Sequence, residues 1–181
     1  MKNLNFIGKL FFMFLGLVLL ACEKEAPNTK LDAAQEVFFE VNYINFAWGK
    51  QVGGFLIDNT GAVKKITDPK YLADDNKGQL TVSQVKEKLA LAVEKKKEIS
   101  RTELAKYTSL IPSIATDKYS KRNQVGADMG SYNYTAYIYN SDEKVYKAIK
   151  LAEEGDWASE NLDSNAKLIT NWLKEIQVDA L

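Results

Sequence analysis

The chain of 181 residues contains no histidine and a single cysteine, Cys22. Without histidine it lacks the usual general base near neutral pH and the commonest nitrogen ligand of zinc, copper and iron. With one cysteine it can form no intramolecular disulfide, no CxxC redox pair and no cysteine-rich metal site. Ser-His-Asp and Cys-His mechanisms are therefore excluded, and we assign no catalytic residue, metal ligand or cofactor from the sequence.

The charge balance gives the chain no preference for nucleic acid. Basic and acidic residues number 24 each, and the first 21 residues hold Lys2 and Lys9 but no acid. The remainder therefore has 22 basic against 24 acidic residues, a net charge of −2. Nucleic-acid binding depends on a basic surface, which this balance does not supply. The length and the 46% share of hydrophobic residues fit one globular domain.

The N-terminus carries an uncharged apolar run from Leu10 to Ala21. As a helix these twelve residues would span ~18 Å, against the ~30 Å of a bilayer core. That length is typical of the hydrophobic part of a signal peptide. The run ends in Leu19-Leu20-Ala21-Cys22, which resembles the lipobox of bacterial lipoprotein (type II) signal peptides.

The resemblance implies that residues 1–21 are removed and that Cys22 is acylated, with palmitate among the acyl chains. Residues 22–35 would then be a lipidated tether, and 36–181 a single domain held at the bacterial envelope, in the outer membrane. Its membrane contact would be made through the acyl chains on Cys22. Two alternatives remain open: an ordinary secretory signal with a chance cysteine, and a short uncleaved anchor.

The first half of the domain predicts a three-stranded antiparallel meander. Glu36 to Trp48 is rich in Val, Ile, Phe, Tyr and Trp and indicates a strand. Its apolar positions change parity near Ile44, which predicts a bulge or a strong bend there. Residues 52–67 predict a hairpin that turns at Asp58-Asn59-Thr60-Gly61, with Gly61 at positive φ.

Three helices and further strands complete the prediction. Thr81 with Gln84 and Ser100 with Glu103 form capping-box patterns. The first opens a helix to about Glu98, and the second a helix that Pro112 should end or kink. Residues 132–139 predict a strand, and 145–151 a strand or a short helix, of which we favour the strand. A last helix begins at Asp163 or Ser164 with one apolar face: Ala166, Ile169, Leu173 and Ile176. The predicted fold class is α+β, an antiparallel sheet of four to five strands packed on two or three helices.

Four tyrosines on the 132–139 strand suggest a recognition surface. Alternation puts Tyr132 and Tyr134 on one face and Tyr137 and Tyr139 on the other. We expect one face to be exposed and predict Tyr137 and Tyr139, with the nearby Trp157, as binding residues. The alternative is that tyrosine simply has a high β-propensity.

Two acidic clusters are weaker candidates. Residues 74–81 resemble a calcium loop, but three ligand positions are wrong, so an exposed acidic turn is favoured. Glu153 and Glu154 with Asp156 beside Trp157 could serve a glycosidase, although a solvated turn explains them as well. The Lys95–Lys97 run is interpreted as a solvated helix end.

These observations favour a lipid-anchored, non-enzymatic binding or accessory domain with a protein or glycan partner. A carboxylate-based glycan hydrolase is the first alternative, and an inhibitor or immunity-type lipoprotein the second. An enzyme requires converging carboxylates, at least one with a raised pKa, whereas a binder requires an exposed aromatic patch.

Overall fold

The computed structural model describes residues 34–71, 78–92 and 94–180. Within these ranges the strands are β1 Val37–Asn45, β2 Gln51–Asp58, β3 Ala62–Lys65, β4 Gln79–Thr81, β5 Glu94–Glu98, β6 Asn123–Gln124, β7 Ser131–Asn140, β8 Val145–Gly155 and β9 Trp157–Glu160. The helices are α1 Val82–Leu91, α2 Arg101–Thr108 and α3 Ser164–Ala180, with a 3-10 turn at Ile111–Ser113.

The strands form one antiparallel sheet in the order β5-β3-β2-β1-β7-β8-β9-β6, and β4 pairs with the first residues of β8. The fold is α+β, as predicted. The expected count of four to five strands is wrong, because the described residues contain nine. Four strands are additional: β4, β6 and β9 have two to four residues each, too short for their periodicity to be visible in the sequence, and β5 lies in a segment predicted as helix.

Both faces of the sheet are covered. One face packs on α2, the 3-10 turn and α3 through a core that includes Phe39, Val41, Ile149 and Trp172. The other face packs on α1 through a smaller core that includes Leu56 and Val85 as well as Tyr71, Tyr137 and Tyr146. The apolar face predicted for the last helix is confirmed, since Ala166, Ile169, Leu173 and Ile176 are all buried.

The β2–β3 hairpin turns where the sequence predicts. The Gly61 N–H donates to the Asp58 carbonyl over 3.1 Å, and Gly61 has a φ of +88°. A Cβ at this position would lie 2.3 Å from the Ile99 carbonyl oxygen. The Asp58 carboxylate accepts from the N–H groups of Thr60 and Ala62, which fixes the turn.

Two local predictions are wrong. The β-bulge lies between Val37 and Phe39, and near Ile44 the chain instead leaves the strand, which ends at Asn45 and not at the predicted Trp48. Helix α1 has the predicted Thr81 capping box but ends at Leu91 instead of continuing to Glu98. Residues 94–98, with the three lysines, form the edge strand β5 paired with β3. Exposed charges on an edge strand oppose its pairing with other chains.

Candidate functional site

The four tyrosines of β7 do not form an exposed surface. Tyr134 and Tyr137 are each 2% exposed, while Tyr132 and Tyr139 are half-buried. The Tyr137 hydroxyl donates to Glu40 over 2.8 Å inside the sheet–α1 core. The expectation that Tyr137 is exposed is therefore wrong. Alternation assigns the side chains to the correct faces of the sheet, but helices cover both faces.

Tyr139 and Trp157 lie at opposite ends of the β7–β8 hairpin. The Tyr139 N–H donates to the Gln35 side chain near the start of β1. Trp157 pairs with Gln124 at the other end, and the Arg122 guanidinium lies 4.3 Å from the centre of its ring. The predicted binding residues are therefore not one site, and only Trp157 borders the surface described next.

Large apolar side chains are exposed at the end of the sheet where β1 turns into β2. The solvent-exposed fraction is 71% for Phe46, 82% for Trp48, 62% for Val125 and 58% for Met129. We name these four residues the aromatic end. They are half of the eight large hydrophobic residues that are exposed in the described ranges. Clustering of this kind marks interaction sites more often than scattered exposure does.

Asn45 ties the β1–β2 tip to the 125–130 loop. This residue is 6% exposed, and its amide donates to the Tyr43 hydroxyl over 3.0 Å and to the Asp128 carbonyl over 3.1 Å. Its side-chain oxygen accepts from the Ala47 N–H over 2.8 Å. The Tyr43 hydroxyl in turn donates to the Met129 carbonyl. Phe46 and Trp48 therefore project from a tip whose base is hydrogen-bonded to the loop that carries Met129.

The 125–130 loop is itself held by Asp156. The Asp156 carboxylate accepts from the Met129 N–H over 2.8 Å, and its carbonyl accepts from the Val125 N–H over 2.9 Å. Gly130, at a φ of +72°, lies so close to β1 that a Cβ would meet the Ile44 carbonyl oxygen at 2.6 Å. The exposed side chains of the loop therefore stand on an ordered backbone, which lowers the entropic cost of binding.

A buried ion pair lies under α1. Lys88 Nζ is 3.0 and 3.1 Å from the two carboxylate oxygens of Glu40, which is 1% exposed. The carboxylate also accepts from Asn42 and Tyr137 over 2.8 Å each. Burial raises the pKa of Glu40, but the Lys88 ammonium and these hydrogen bonds outweigh it and hold the pKa below its ordinary value. The pair fixes α1 to the sheet.

The acidic cluster at 153–156 is fully engaged in structural contacts. Glu153 binds Arg122 in a bidentate pair at 2.7 and 2.9 Å, and Lys150 at 2.7 Å. The Arg122 hydrogen bond is the main cause that lowers the pKa of Glu153 to about 2. Glu154 pairs with Lys174. A general acid needs a raised pKa, so the environment of Glu153 is the opposite of what the hydrolase alternative requires.

The first half of the calcium-like loop, residues 74–77, lies outside the described residues, which resume at Gly78. Among the residues that are described, no group of three or more acidic side chains could hold a metal ion. No helix in this part of the chain is long and apolar enough to cross a membrane. No protein-family model matches the chain, and no curated protein or solved structure matches it either.

The sequence interpretation missed Phe46 and Trp48 because it included them in the first strand. The change of apolar parity at Ile44 and the Gly49-Lys50 pair that follows could have indicated a hairpin tip instead. Val125 and Met129 stand in a polar loop without periodicity, and only the fold joins this loop to the tip, through Asn45 and Tyr43.

Proposed function

We propose that this chain is a lipid-anchored, non-enzymatic binding protein of the bacterial envelope and that the aromatic end is its recognition surface. The observation that supports the proposal most directly is the exposure of Phe46 and Trp48 on a tip fixed by Asn45. Exposing two large aromatic rings on a braced backbone costs solubility and offers nothing to the core, which fits a surface that a partner covers.

A protein is the partner that the chemistry favours. Aromatic residues, methionine and arginine are enriched in protein interfaces, and Arg122 lies on the ring of Trp157, which directly follows the Asp156 that holds the 125–130 loop. Phe46, Val125 and Met129 carry no group that could hydrogen-bond to sugar hydroxyls. We therefore expect a partner with an apolar pocket, either a complex in which this chain is an accessory subunit or an enzyme that it inhibits.

The direction of β1 agrees with binding away from the anchor. The described chain begins at Ala34, next to the start of β1, whereas the aromatic end follows its last residue, Asn45. Nine strand residues span ~30 Å. If Cys22 is acylated, the tether joins the domain at the start of β1, at the opposite end of this strand from Trp48.

Site-specific photo-crosslinking in intact cells tests the proposal. A photoreactive residue would replace Trp48 in one variant and Val178 in the other, which are 82% and 85% exposed and therefore equally accessible. We expect a discrete protein adduct from position 48 that disappears when Phe46→Ser is added. Equal adducts from both positions, adducts to lipid alone, or an adduct between two copies of the chain would contradict a dedicated protein-binding tip.

The anchor has its own test. Cys22→Ser should leave the precursor uncut by the lipoprotein peptidase and unlabelled by palmitate. Efficient palmitate labelling of this variant would refute the lipobox assignment, whatever the outcome at Trp48.

A further inference from the structure

One edge of the sheet, beyond β9, has a free side. Residues 118–125, which include β6, run antiparallel to residues 156–162. At one end of this pairing the Leu162 N–H donates to the Lys118 carbonyl over 2.8 Å. Because β6 is the last strand in the sheet order, no strand of the described ranges pairs with the far side of this segment. We name residues 118–125 the outer edge.

The outer edge directs backbone hydrogen-bonding groups away from the sheet. In an antiparallel pair, residues alternate between turning their N–H and C=O groups toward the neighbouring strand and away from it. The Val125 N–H donates to the Asp156 carbonyl over 2.9 Å, and Asn123 pairs with Ala158. Gln124, which lies between them, therefore directs its N–H and C=O outward. Groups of this kind at a sheet edge can pair with an extended chain.

Exposed apolar side chains distinguish the outer edge from the opposite edge of the same sheet. The strand at that opposite edge, β5, carries only Glu and Lys, a composition that opposes pairing with other chains. The outer edge instead carries Tyr119 and Val125, both of which are exposed. Together with Leu162 and the aromatic end, they account for six of the eight large hydrophobic residues that are exposed in the described ranges. Val125 belongs to both surfaces, so the outer edge continues the aromatic end.

The charge of the outer edge determines which strands can pair with it. Residues 118–125 contain Lys118, Lys121 and Arg122 but no acid. Arg122 is paired with Glu153, whereas Lys121 is exposed and has no ion pair in the described part of the chain. Antiparallel pairing of two copies about the centre of this segment would place Lys121 opposite Arg122 of the second copy, and like charges directly opposite each other are destabilising. A second copy is therefore disfavoured, and an acidic strand is favoured.

We propose that the partner of the aromatic end adds an extended acidic strand to the outer edge beside Gln124. This inference rests on the proposed function, because it takes the aromatic end as a protein-binding surface. Main-chain hydrogen bonds to Gln124 supply affinity, and carboxylates that face Lys121 select the strand. The contact lies at β6 because the pairing with β9 shifts by one residue between Ser120 and Asn123, which interrupts the edge there.

Photo-crosslinking in intact cells locates the contact. A photoreactive residue would replace Lys121 in one variant and Lys95, an exposed lysine of β5, in the matched control. From position 121 we expect an adduct with the same protein that position 48 captures, joined at an extended segment of net negative charge, and no adduct from position 95.

The crosslinking outcomes separate this inference from the proposed function. An adduct from position 48 without one from position 121 overturns the inference and leaves the proposed function standing. An adduct from neither position overturns both. A different protein at position 121, or attachment there to a helical or basic segment, also overturns the inference.

Hydrogen exchange tests the strand pairing itself. In the purified full-length lipidated chain, the Gln124 N–H should exchange at least about tenfold more slowly when the protein captured at position 48 is bound. The Asn123 N–H, which already faces β9, should change less. Lys121→Glu should weaken binding of that protein about threefold to tenfold, and Lys95→Glu should leave it unchanged. Unchanged exchange at Gln124 in the saturated complex, or an unchanged affinity in Lys121→Glu, would overturn the strand addition.

Discussion

Replacing Lys88 by methionine should lower the free energy of unfolding, because it leaves the buried Glu40 carboxylate without its cation. The substitution keeps most of the side-chain volume but removes the cation that faces the Glu40 carboxylate. Glu40 is 1% exposed, and it would keep its hydrogen bonds from Asn42 and Tyr137. Removing one member of a buried ion pair typically costs about 3–5 kcal/mol. We expect a loss of that size in the free energy of unfolding at pH 7, measured by urea titration with tryptophan fluorescence.

The loss of stability in Lys88→Met should depend on pH. In the wild type the pKa of Glu40 is lowered, so its contribution to stability is present above its unfolded pKa and is lost as the pH falls through the folded pKa. In Lys88→Met burial without the cation raises the pKa above the unfolded value. The penalty should then shrink as the pH falls from 7 to about 4.5, because the carboxyl protonates.

Two further variants complete the test. Glu40→Gln combined with Lys88→Met removes both charges and should cost less than the sum of the single changes. Lys64→Met is the matched control, because Lys64 pairs with Asp58 at 3.0 Å but is 27% exposed. It should lose at most about 1 kcal/mol. A loss below about 1 kcal/mol in Lys88→Met at pH 7, or a penalty independent of pH, would refute the account of the buried pair.

Three other predictions follow from the same contacts. Gly61→Val should lower stability by at least about 1–2 kcal/mol, because its Cβ would meet the Ile99 carbonyl at 2.3 Å; an unchanged melting temperature would contradict it. Glu153→Gln should flatten the loss of stability between pH ~4.3 and about 2, since pairing with Arg122 lowers the pKa of this carboxyl; urea titrations across that range measure it, and a wild-type acid slope would count against it. Asn45→Ala should cost about 1–3 kcal/mol in urea unfolding, because it removes three hydrogen bonds made by a side chain that is itself buried; a cost near zero would mean that the tip is not braced.

The parts of the fold that the sequence predicts well are set by local interactions. The Asp58–Gly61 turn and the Thr81 capping box each depend on residues within four positions, and both are present. The helix predicted for residues 94–98 is wrong because a long-range interaction decides their structure. Glu and Lys favour a helix, but pairing with β3, 29 to 36 positions earlier in the chain, makes this segment a strand.

The candidate site was predictable only in part. Alternation correctly assigns Tyr134 and Tyr137 to opposite faces, yet it cannot show that helices cover both. Trp157 was identified, but the residues it borders come together through Asn45 and Asp156, whose contacts span 83 and 27 positions. No local pattern contains such contacts.

The affinity of the crosslinked partner for the purified chain tests the central proposal most directly. An interface tryptophan that acts as a hot spot contributes at least about 2 kcal/mol, roughly a thirtyfold change in Kd. Trp48→Ser should therefore weaken binding about thirtyfold or more, with the free energy of unfolding unchanged within about 0.5 kcal/mol. Val178→Ser, at an equally exposed position, should leave the affinity unchanged. A Trp48→Ser variant that binds the partner as tightly as the wild type would contradict the assignment of the aromatic end as the recognition surface.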